Sequence, residues 1–459
     1  MFITMVVIFV LGYIAIALEH PLKIDKAASA LFIGVAVWVA YILGGEQILS
    51  NQSGAINGFM DYLKRFPDST YIDFIAHHEI LEHLAEISEI LFFLLGAMTI
   101  VEIVDQHGGF EIITSKIKTT KKVKLLWILT IVTFFMSAVL DNLTTTIVMI
   151  ALLRKLVGEQ KDRWFFASMI VLAANAGGAF SPIGDVTTIM LWVKGQITTG
   201  PIIRDVFLPS IVAAIAPLAL LSFTMKGKVQ RPEIKETDEH EYTTTTFERN
   251  LIFFVGVGSL LFVPVFKTLT HLPPYMGMLL GLSILWITTE LLHRKKSKNE
   301  KAKLVVVGVL RRVDTPTILF FLGILSAVAA LQSAGHLSLL ASWLDSVTNK
   351  NVYVINSAIG ILSSVIDNVP LVAGAMGMYD LASVGQFTQD GIFWQLLAYC
   401  AGTGGSILII GSAAGVAAMG LEKIDFIWYM KNISLLALLG YFAGIGTYWL
   451  MHYFHIVGV

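Results

Sequence analysis

Apolar stretches of about 17–25 residues recur along the whole 459-residue chain, and each is long enough to cross a hydrocarbon core of roughly 30 Å. Charged residues make up only 14% of the sequence, whereas soluble proteins average about 25%. Inside a bilayer every backbone polar group must be paired within the protein, and stretches of this length pair their own groups as helices. The sequence therefore predicts an all-α polytopic membrane protein, with residues 1–459 in one integral membrane domain.

Composition also excludes some classes of protein. The formal net charge is −1, which argues against a generally basic nucleic-acid binder. Cys400 is the only cysteine, so no internal disulfide can form. The first residues, MFITMVVIFVLGYIAIALEH, lack a basic segment and a small-residue cleavage site, and they predict a retained first span rather than a signal peptide.

The loops between the apolar stretches predict the orientation. The predicted spans lie at roughly residues 2–18, 27–45, 88–104, 164–193, 203–225, 250–267, 275–292, 315–332, 391–420 and 427–452. Basic segments near 23–26, 115–124, 226–231 and 293–303 fall on one side if these spans alternate. Because Lys and Arg are enriched on the cytoplasmic side, the 226–249 loop is predicted inside and the amino terminus outside. The stretch 72–87, IDFIAHHEILEHLAEI, predicts an amphipathic helix at the outer surface.

Two further segments do not fit as ordinary spans. The segment 125–157 has basic residues at its entry and at its exit, among them Lys122 and Arg154, so both ends favour the cytoplasm. A hairpin that enters and returns satisfies this pattern. The segment 350–380 begins at Lys350 and ends without a basic residue, and it predicts a hairpin that enters from outside. Irregular backbone at such tips is tolerated where protein or a wet cavity covers it.

The two predicted hairpins contain near-copies of one short segment. SAVLDNLTTT holds the pair Asp141–Asn142, and SSVIDNVPLV holds the pair Asp367–Asn368. The two aspartates lie 226 positions apart, and glycines repeat at an offset of 227, pairing Gly96 with Gly323, Gly177 with Gly404, Gly178 with Gly405 and Gly184 with Gly411. Internal repetition of this kind is a strong signal of architecture.

An odd number of full spans lies between the two hairpins, which inverts the second copy relative to the first. The fold predicted is therefore a pair of inverted-topology repeats with two re-entrant hairpins and two broken transmembrane helices. The first repeat core is 88–225, with its hairpin at 125–157 and its broken helix at 164–193. The second core is 315–452, with its hairpin at 350–380 and its broken helix at 391–420.

Aspartates at the predicted hairpin tips are the main candidates for function. A carboxylate at membrane depth costs on the order of 2.5–3.5 kcal/mol, so Asp141 and Asp367 need a reason to be there. Together with the amide oxygens of Asn142 and Asn368, they offer the hard oxygen ligands that Na⁺ prefers. The alternative is that Asp and Asn only cap helix starts. Both roles are compatible, and we favour an ion site.

A third aspartate lies in the motif NAGGAFSPIGDVTT. Pro and three glycines interrupt this span and free backbone groups beside Asp185, while the adjacent Thr187 and Thr188 add hydroxyls. The matched position in the second copy is Ser412, which is not an acid. The candidate Na⁺/H⁺ site also includes polar residues of the same motifs, namely Thr144, Asn175, Ser181 and Thr403.

Such carboxylates could couple a cation to a proton. Burial favours the neutral form of a carboxyl group, whereas a bound cation favours the ionised form. One site would then hold either a proton or Na⁺, with Asp141, Asp185 and Asp367 as the direct ligands of Na⁺.

Three histidines cluster outside these motifs. His77, His78 and His83 stand among glutamates in HHEILEH, which is not the HExxH pattern of zinc proteases. We interpret them as a solvated helix face, with pH sensing as the alternative.

The motifs LDNLTTT, NAGGAFSPIGDVTT, IDNVP and GTGGSILIIGSAAG resemble those of the NhaD-type sodium/proton antiporters, within the ion transporter superfamily. The resemblance covers nearly the whole chain. It implies the inverted-repeat fold, a homodimer in the bacterial cytoplasmic membrane, and export of Na⁺ or Li⁺ in exchange for H⁺ for pH and sodium homeostasis. It implies no cofactor and no enzymatic activity. It places the hairpin pairs at Asp141–Asn142 and Asp367–Asn368, and the unwound stretches at 175–188 and 402–412.

Two alternatives remain at this point. An anion transporter of the same fold, such as a dicarboxylate/sodium symporter or an arsenite exporter, is the nearer one. Acidic tips and the absence of arginine from the predicted core disfavour a carboxylate substrate, although they do not exclude neutral arsenite. An intramembrane aspartyl protease would also place two aspartates within spans. Its motifs match poorly around Asp185 and Asp380, and it needs no repeat.

Overall fold

The computed structural model describes residues 1–17, 19–51, 53–114, 117, 119–231, 244–294, 296 and 304–457. Within these ranges all regular secondary structure is helical, apart from one isolated bridge between Lys121 and Lys228. The middle of the predicted 226–249 loop, and most of the basic segments at 115–118 and 295–303, lie outside the described residues.

The helices follow one another closely along the chain. They are α1 Phe2–Ala17, α2 Glu19–Leu22, α3 Lys26–Asn51, α4 Ser53–Arg65, α5 Tyr71–Phe74, α6 Ile80–Gln106, α7 Glu111–Thr114, α8 Lys122–Leu140, α9 Asn142–Leu156, α10 Gln160–Ala179, α11 Val186–Val193, α12 Thr199–Thr224, α13 Thr246–Thr270, α14 Pro274–His293, α15 Val306–Val309, α16 Thr315–Ser333, α17 His336–Thr348, α18 Val352–Leu362, α19 Asn368–Met378, α20 Ile392–Gly404, α21 Ala413–Glu422, α22 Phe426–Asn432 and α23 Ser434–Tyr453.

Eight helical segments in the described ranges are long and apolar enough to cross a membrane. They are Lys26–Ser50, Tyr71–Gln106, Lys122–Leu140, Thr199–Thr224, Thr246–Thr270, Pro274–His293, Thr315–Ser333 and Ser434–Tyr453. Shorter apolar helices accompany them, among them Phe2–Ile16 and Ala413–Glu422. The prediction of a helical, multi-pass membrane protein is therefore confirmed.

The chain divides into two compact units. Unit 1 holds residues Met1–Phe92, Asp314–Asn351 and Val369–Leu381, and unit 2 holds Phe93–Val313, Val352–Asn368 and Ala382–Val459.

In unit 1, helix α3 packs along α16. The two backbones approach so closely that a Cβ atom added to Gly34 would lie 2.7 Å from the carbonyl oxygen of Gly323. Beside this crossing, the Trp38 indole donates a hydrogen bond to Ser326 Oγ at 3.1 Å. Side chains from α1, α3, α5 and α16 complete an apolar core around Tyr41 and Phe74. The glycines therefore allow the tight packing on which this unit depends.

The predicted surface helix at 72–87 is not a separate element. It is the first part of one helical run, Tyr71–Gln106, which also contains the predicted span at 88–104. A π-helical turn at Ile75–Glu79 lies near the start of this run. Phe74 and Ile75 are buried, and His83 lies 2.9 Å from Ser333 Oγ, so this face packs inside unit 1. His77 and His78 are exposed as predicted, whereas His83 is not part of a solvated face. Tertiary packing fixes this helix, and the sequence pattern did not show it.

Unit 2 contains the interrupted helices. The predicted broken helix at 164–193 is α10 and α11 with a gap at 180–185, and the one at 391–420 is α20 and α21 with a gap at 405–412. Pro182 and Gly184 lie in the first gap, whereas glycines without a proline flank the second gap. The predicted span at 427–452 is also divided, because α22 ends at Asn432 before α23 begins.

The sequence repeat is also a repeat of local structure. Ser137 Oγ donates to the carbonyl of Ala174 at 2.6 Å, and Ser363 Oγ donates to the carbonyl of Ala401 at 2.8 Å, at the same offset along the chain. Equally, α8 packs on α10 and α18 packs on α20. Each copy thus builds the same pair of helices around its unwound segment.

Candidate functional site

Asp185 is held at the start of a half-helix within unit 2. Helix α10 ends at Ala179, and α11 begins after Asp185, whose extended backbone is suited to an N-cap. Its carboxylate Oδ1 accepts hydrogen bonds from the backbone N–H and the hydroxyl of Thr187, both at 3.0 Å. Thr188 completes a capping box with the Asp185 backbone. Asp185 therefore caps α11, which is the role that the sequence analysis considered for aspartates at helix starts.

The same carboxylate is bonded by the amides of both repeated Asp–Asn pairs. Asn142 Nδ2 donates to Asp185 Oδ2 at 2.7 Å, and Asn368 Nδ2 donates to it at 3.3 Å. Asp185 is 1% exposed, and both asparagines are buried. Two residues that lie 226 positions apart in sequence thus meet at one oxygen. The amides present nitrogen to the carboxylate here, rather than the oxygen that the sequence analysis expected.

Asn175 extends this network to the second unwound segment. Its Oδ1 accepts from Asn142 Nδ2 at 3.0 Å. Its Nδ2 donates to Ser406 Oγ at 2.8 Å and to Ser412 Oγ at 2.9 Å. The sequence analysis did not place Ser406 or Ser412 in the site. Their position in GTGGSILIIGS, the copy of the Asp185 motif, was the signal that could have found them.

Asp141 joins two helices and caps the second. It ends α8 and begins α9, and its carboxylate accepts from the backbone N–H and the hydroxyl of Thr144, both at 2.8 Å. Its φ of 106° and ψ of 160° lie in a region that is essentially restricted to glycine. Strain of this kind, about 1–3 kcal/mol, persists at functional sites when the surroundings enforce it.

Two further carboxylates lie near Asp185 in unit 2. Asp141 and Asp367 are both close enough to act electrostatically on Asp185. Among the described residues, no basic side chain pairs with Asp141 or Asp185. A buried carboxylate without a basic partner attracts a cation or a proton.

Two predicted site residues are bonded elsewhere. The Ser181 hydroxyl donates to the carbonyl of Ala138 at 2.5 Å, and the Thr403 hydroxyl donates to the carbonyl of Tyr399 at 2.6 Å. Both are buried near the unwound segments, but their hydroxyl groups brace backbone instead of reaching a carboxylate. In the part of the chain that the structure describes, no group of three His, Cys, Asp or Glu side chains could hold a resident metal ion.

Comparison with known proteins identifies the family. The family model described as a citrate transporter matches residues 13–402. Sodium/proton antiporter 1 of Arabidopsis thaliana is 49% identical over 99% of this chain and 73% of its own length. Sodium/proton antiporter 2 of that plant is 44% identical over 98% of this chain and 100% of its own length. The Na(+)/H(+) antiporter NhaD of Vibrio cholerae is 31% identical over 97% of this chain and 91% of its own length.

The chain belongs to the NhaD-type sodium/proton antiporter family. The resemblance that the sequence motifs indicated is thereby confirmed, and the citrate transporter model matches most of the same chain. Its members are transporters, so this chain is a multi-pass membrane transporter and not an enzyme. The aspartyl protease alternative is excluded on the same ground.

Proposed function

We propose that this chain exchanges Na⁺, or Li⁺, for H⁺ across a membrane, and that Asp185 binds the two cations alternately. One observation carries the proposal: a carboxylate that is 1% exposed receives amides from both repeats and has no basic partner among the described residues. Its sodium/proton antiporter relatives support the same reading.

The physical basis is competition for one set of oxygens. Hydrogen bonds from Thr187, Asn142 and Asn368 stabilise the ionised form of Asp185, while burial favours its protonated form. A bound cation stabilises the ionised form of Asp185 further, whereas protonation removes the negative charge that binds the cation. The carboxylates of Asp141 and Asp367 act as further cation ligands in this scheme. If the site faces each side of the membrane in turn, the competition becomes exchange.

The finer architecture belongs to the same proposal. We place α8–α9 and α18–α19 as re-entrant hairpins of two inverted repeats, with the amino terminus outside a bacterial cytoplasmic membrane. Matched contacts at an offset of 226 or 227 residues support the repeat. We also propose a homodimer that serves pH and sodium homeostasis. Light scattering of the purified protein should give a protein mass near twice 50.3 kDa, and a mass near 50.3 kDa would contradict the dimer.

An anion substrate is the second candidate, because the family model that matches most of the chain is described as a citrate transporter. Recognition of a carboxylate substrate usually relies on arginine or other donors. Here Asp185 carries a negative charge, and the nearby charges of Asp141 and Asp367 add to the repulsion of such a substrate. The acidic site therefore favours cations.

Exchange can be tested in vesicles that contain the purified protein and a pH-sensitive dye. With an acidic interior, NaCl or LiCl added outside should raise the internal pH rapidly, because Na⁺ enters as H⁺ leaves. Asp185→Asn should abolish the response. Asp61→Asn is the matched control, since Asp61 is exposed and bonded only on the surface to Lys64. Absence of any alkali-cation response together with uptake of citrate or arsenite would reject the proposal.

A further inference from the structure

Helix α11, which begins after Asp185, is only eight residues long. In any α-helix the first four N–H groups and the last four C=O groups have no partner within the helix. So short a helix makes few internal hydrogen bonds, and helices below roughly 12–15 residues are marginal on their own in water. The contacts at its two ends therefore help to decide whether α11 stays folded and Asp185 stays in position.

The carboxyl end of α11 is closed first by its own backbone. Gly195, whose φ is 82°, donates its N–H to the carbonyl of Trp192 at 3.3 Å. Gln196 donates its N–H to the carbonyl of Leu191 at 2.9 Å. This pair of bonds around a glycine is a Schellman motif, which satisfies two of the last carbonyls of a helix.

A lysine from another helix of unit 2 binds the same end. Lys267 of α13 donates from Nζ to the carbonyl of Trp192 at 2.9 Å, and this ammonium nitrogen lies 4.6 Å from the centre of the Trp192 ring. Trp192 is 2% exposed, so both contacts are made against a buried residue. A charged donor strengthens a hydrogen bond to a carbonyl, and the ring face attracts a cation as well.

The position of Lys267 in the sequence is itself unusual. It lies in the last turn of α13, within an apolar helix that is long enough to cross a membrane, and it is partly buried. A basic residue within such a helix is costly, so by default it indicates a functional contact. The contact that the structure shows is with the end of the helix that Asp185 begins.

The two side chains complement the dipole of α11. A helix start carries about half a positive charge and a helix end about half a negative charge, so an acid at the start and a base at the end both stabilise it. The proposed exchange protonates Asp185 in each cycle and removes the negative charge at the start. Lys267 takes no part in that step, and its contact with Trp192 can hold the helix meanwhile.

We propose that Lys267 is a positioning residue for the ion site, which keeps α11 helical while Asp185 is protonated. The inference rests on the proposed function and deepens it. If α11 were unfolded in part of the molecules, the apparent affinity for Na⁺ would fall with the folded fraction, because cation binding would first have to refold the helix. A preformed α11 avoids that loss.

Hydrogen–deuterium exchange followed by mass spectrometry measures the folding of α11 directly. In detergent at mildly acidic pH, the amides of residues 189–193 of wild type should be protected both without Na⁺ and at saturating Na⁺. In Lys267→Met without Na⁺, we expect them to exchange at least about ten-fold faster than in wild type, because local opening controls their protection. Saturating Na⁺ should restore protection, since it favours the ionised Asp185 that caps the helix.

Transport kinetics in vesicles provide a second measurement. K267M should need at least about five-fold more Na⁺ than wild type for half-maximal exchange, with a maximal rate within about two-fold of wild type. A general structural defect would instead lower the maximal rate and loosen other helices, such as α12, in the hydrogen-exchange measurement.

Three further variants separate charge from other effects. Lys267→Arg keeps a cationic donor that can stack on Trp192, so α11 should be protected as in wild type. Lys267→Gln also removes the charge, and it gives the same test if K267M does not fold. Lys431→Met, at an exposed position in α22, is the matched control and should behave as wild type in both measurements.

Three results would overturn the inference. They are wild-type protection of α11 without Na⁺ in a folded K267M or K267Q protein, loss of protection in K267R as large as in K267M, and an unprotected α11 in wild type without Na⁺. If wild type exchanges no alkali cation for H⁺, the proposed function is wrong instead. The Na⁺-free comparison needs no transport, so it decides whether Lys267 holds α11 independently of that result.

Discussion

Asp141 combines a charged side chain with a backbone conformation that glycine adopts far more easily. Its φ of 106° is enforced where α8 ends and α9 begins, and its carboxylate caps α9 through Thr144. A strained residue that is kept at a helix junction indicates that its side chain is needed there. If Asp141 serves the proposed ion site, function and stability are opposed at this position.

Replacement of Asp141 should separate the two effects. Asp141→Gly removes strain of about 1–3 kcal/mol. It loses only a few tenths of a kcal/mol of capping. We therefore expect D141G to melt no lower than wild type in detergent, yet to lose Na⁺/H⁺ exchange in vesicles.

Asp141→Asn is the comparison, since it keeps both the strain and a capping side chain but removes the charge. It should melt below D141G and should also lose exchange. Wild-type exchange by D141G would show that the carboxylate is not required.

At the scale of elements, close backbone contacts hold α8 against α10 and α18 against α20. A Cβ atom on Gly177 would collide with the carbonyl of Phe134, and one on Gly404 with the carbonyl of Gly360. Backbone atoms cannot rotate away as a side chain can. Gly177→Ala and Gly404→Ala should each destabilise the protein by at least about 1–3 kcal/mol.

The control is Gly446 in α23, where an added Cβ would meet nothing within 4 Å. Gly446→Ala should be neutral or stabilising by up to about 1 kcal/mol. Melting temperatures of the three variants give the measurement. Equal effects at Gly177 and Gly446 would mean that the close approach is not what requires glycine.

An ionic clasp, formed by Arg154, Arg163 and Glu422, joins the two repeats at the far end of α21. Arg154 Nε donates to Glu422 Oε1 and Arg163 Nε donates to Oε2, both at 2.7 Å, and the Glu422 side chain is 1% exposed. Arg163 also donates to the carbonyl of Gly158 at 2.7 Å. Ser412, in the site, is the N-cap of α21, and Glu422 is the last residue of that helix. The clasp therefore holds the end of α21 that lies away from the site.

Removal of the buried charge should loosen this helix. Glu422→Gln leaves two guanidinium groups without their carboxylate and should cost on the order of 3 kcal/mol. We expect a lower melting temperature and a weaker apparent affinity for Na⁺ in vesicles. Glu159→Gln, at an exposed position just before α10, should change neither. If E422Q melts like wild type, the clasp does not stabilise the helix.

At the scale of the whole molecule, the proposed inverted repeat predicts on which side of the membrane particular residues lie. Lys161, in the first turn of α10, and Ser383, before α20, are exposed residues of unit 2 near the starts of the two broken helices. Inverted copies should place them on opposite sides of the membrane. A Cys400→Ala background removes the single native thiol, which is buried.

Lys161→Cys should then react with a membrane-impermeant maleimide only from the cytoplasmic side, and Ser383→Cys only from outside. Labelling of both from one side would reject inverted topology while leaving the sequence repeat intact.

Much of this architecture follows from local sequence rules. Apolar length predicts the long helices, and proline with glycine predicts the interruption before Asp185, because both signals act within a few residues. The aspartates could be identified because a charged side chain within an apolar stretch is costly whatever the tertiary structure. These inferences do not require knowledge of the tertiary contacts.

Partners that are distant in sequence could not be predicted in this way. The continuation of Tyr71–Gln106 through a π-helical turn depends on burial of Phe74 and Ile75, which only packing decides. The clasp of Arg154 with Glu422 joins residues 268 positions apart, and the sequence analysis used Arg154 only as a sign of orientation.

The sequence by itself determined where acids lie within apolar stretches and predicted that they carry the function, since the cost of a charge in hydrocarbon is a property of the residue and its immediate neighbours. The tertiary structure alone decided that Asp185 is the centre of the hydrogen-bond network, with Asn142, Asn368 and Asn175 directed toward it or toward Ser412. The physical reason is that a hydrogen bond requires both groups within about 3 Å, and only the folded chain fixes that separation.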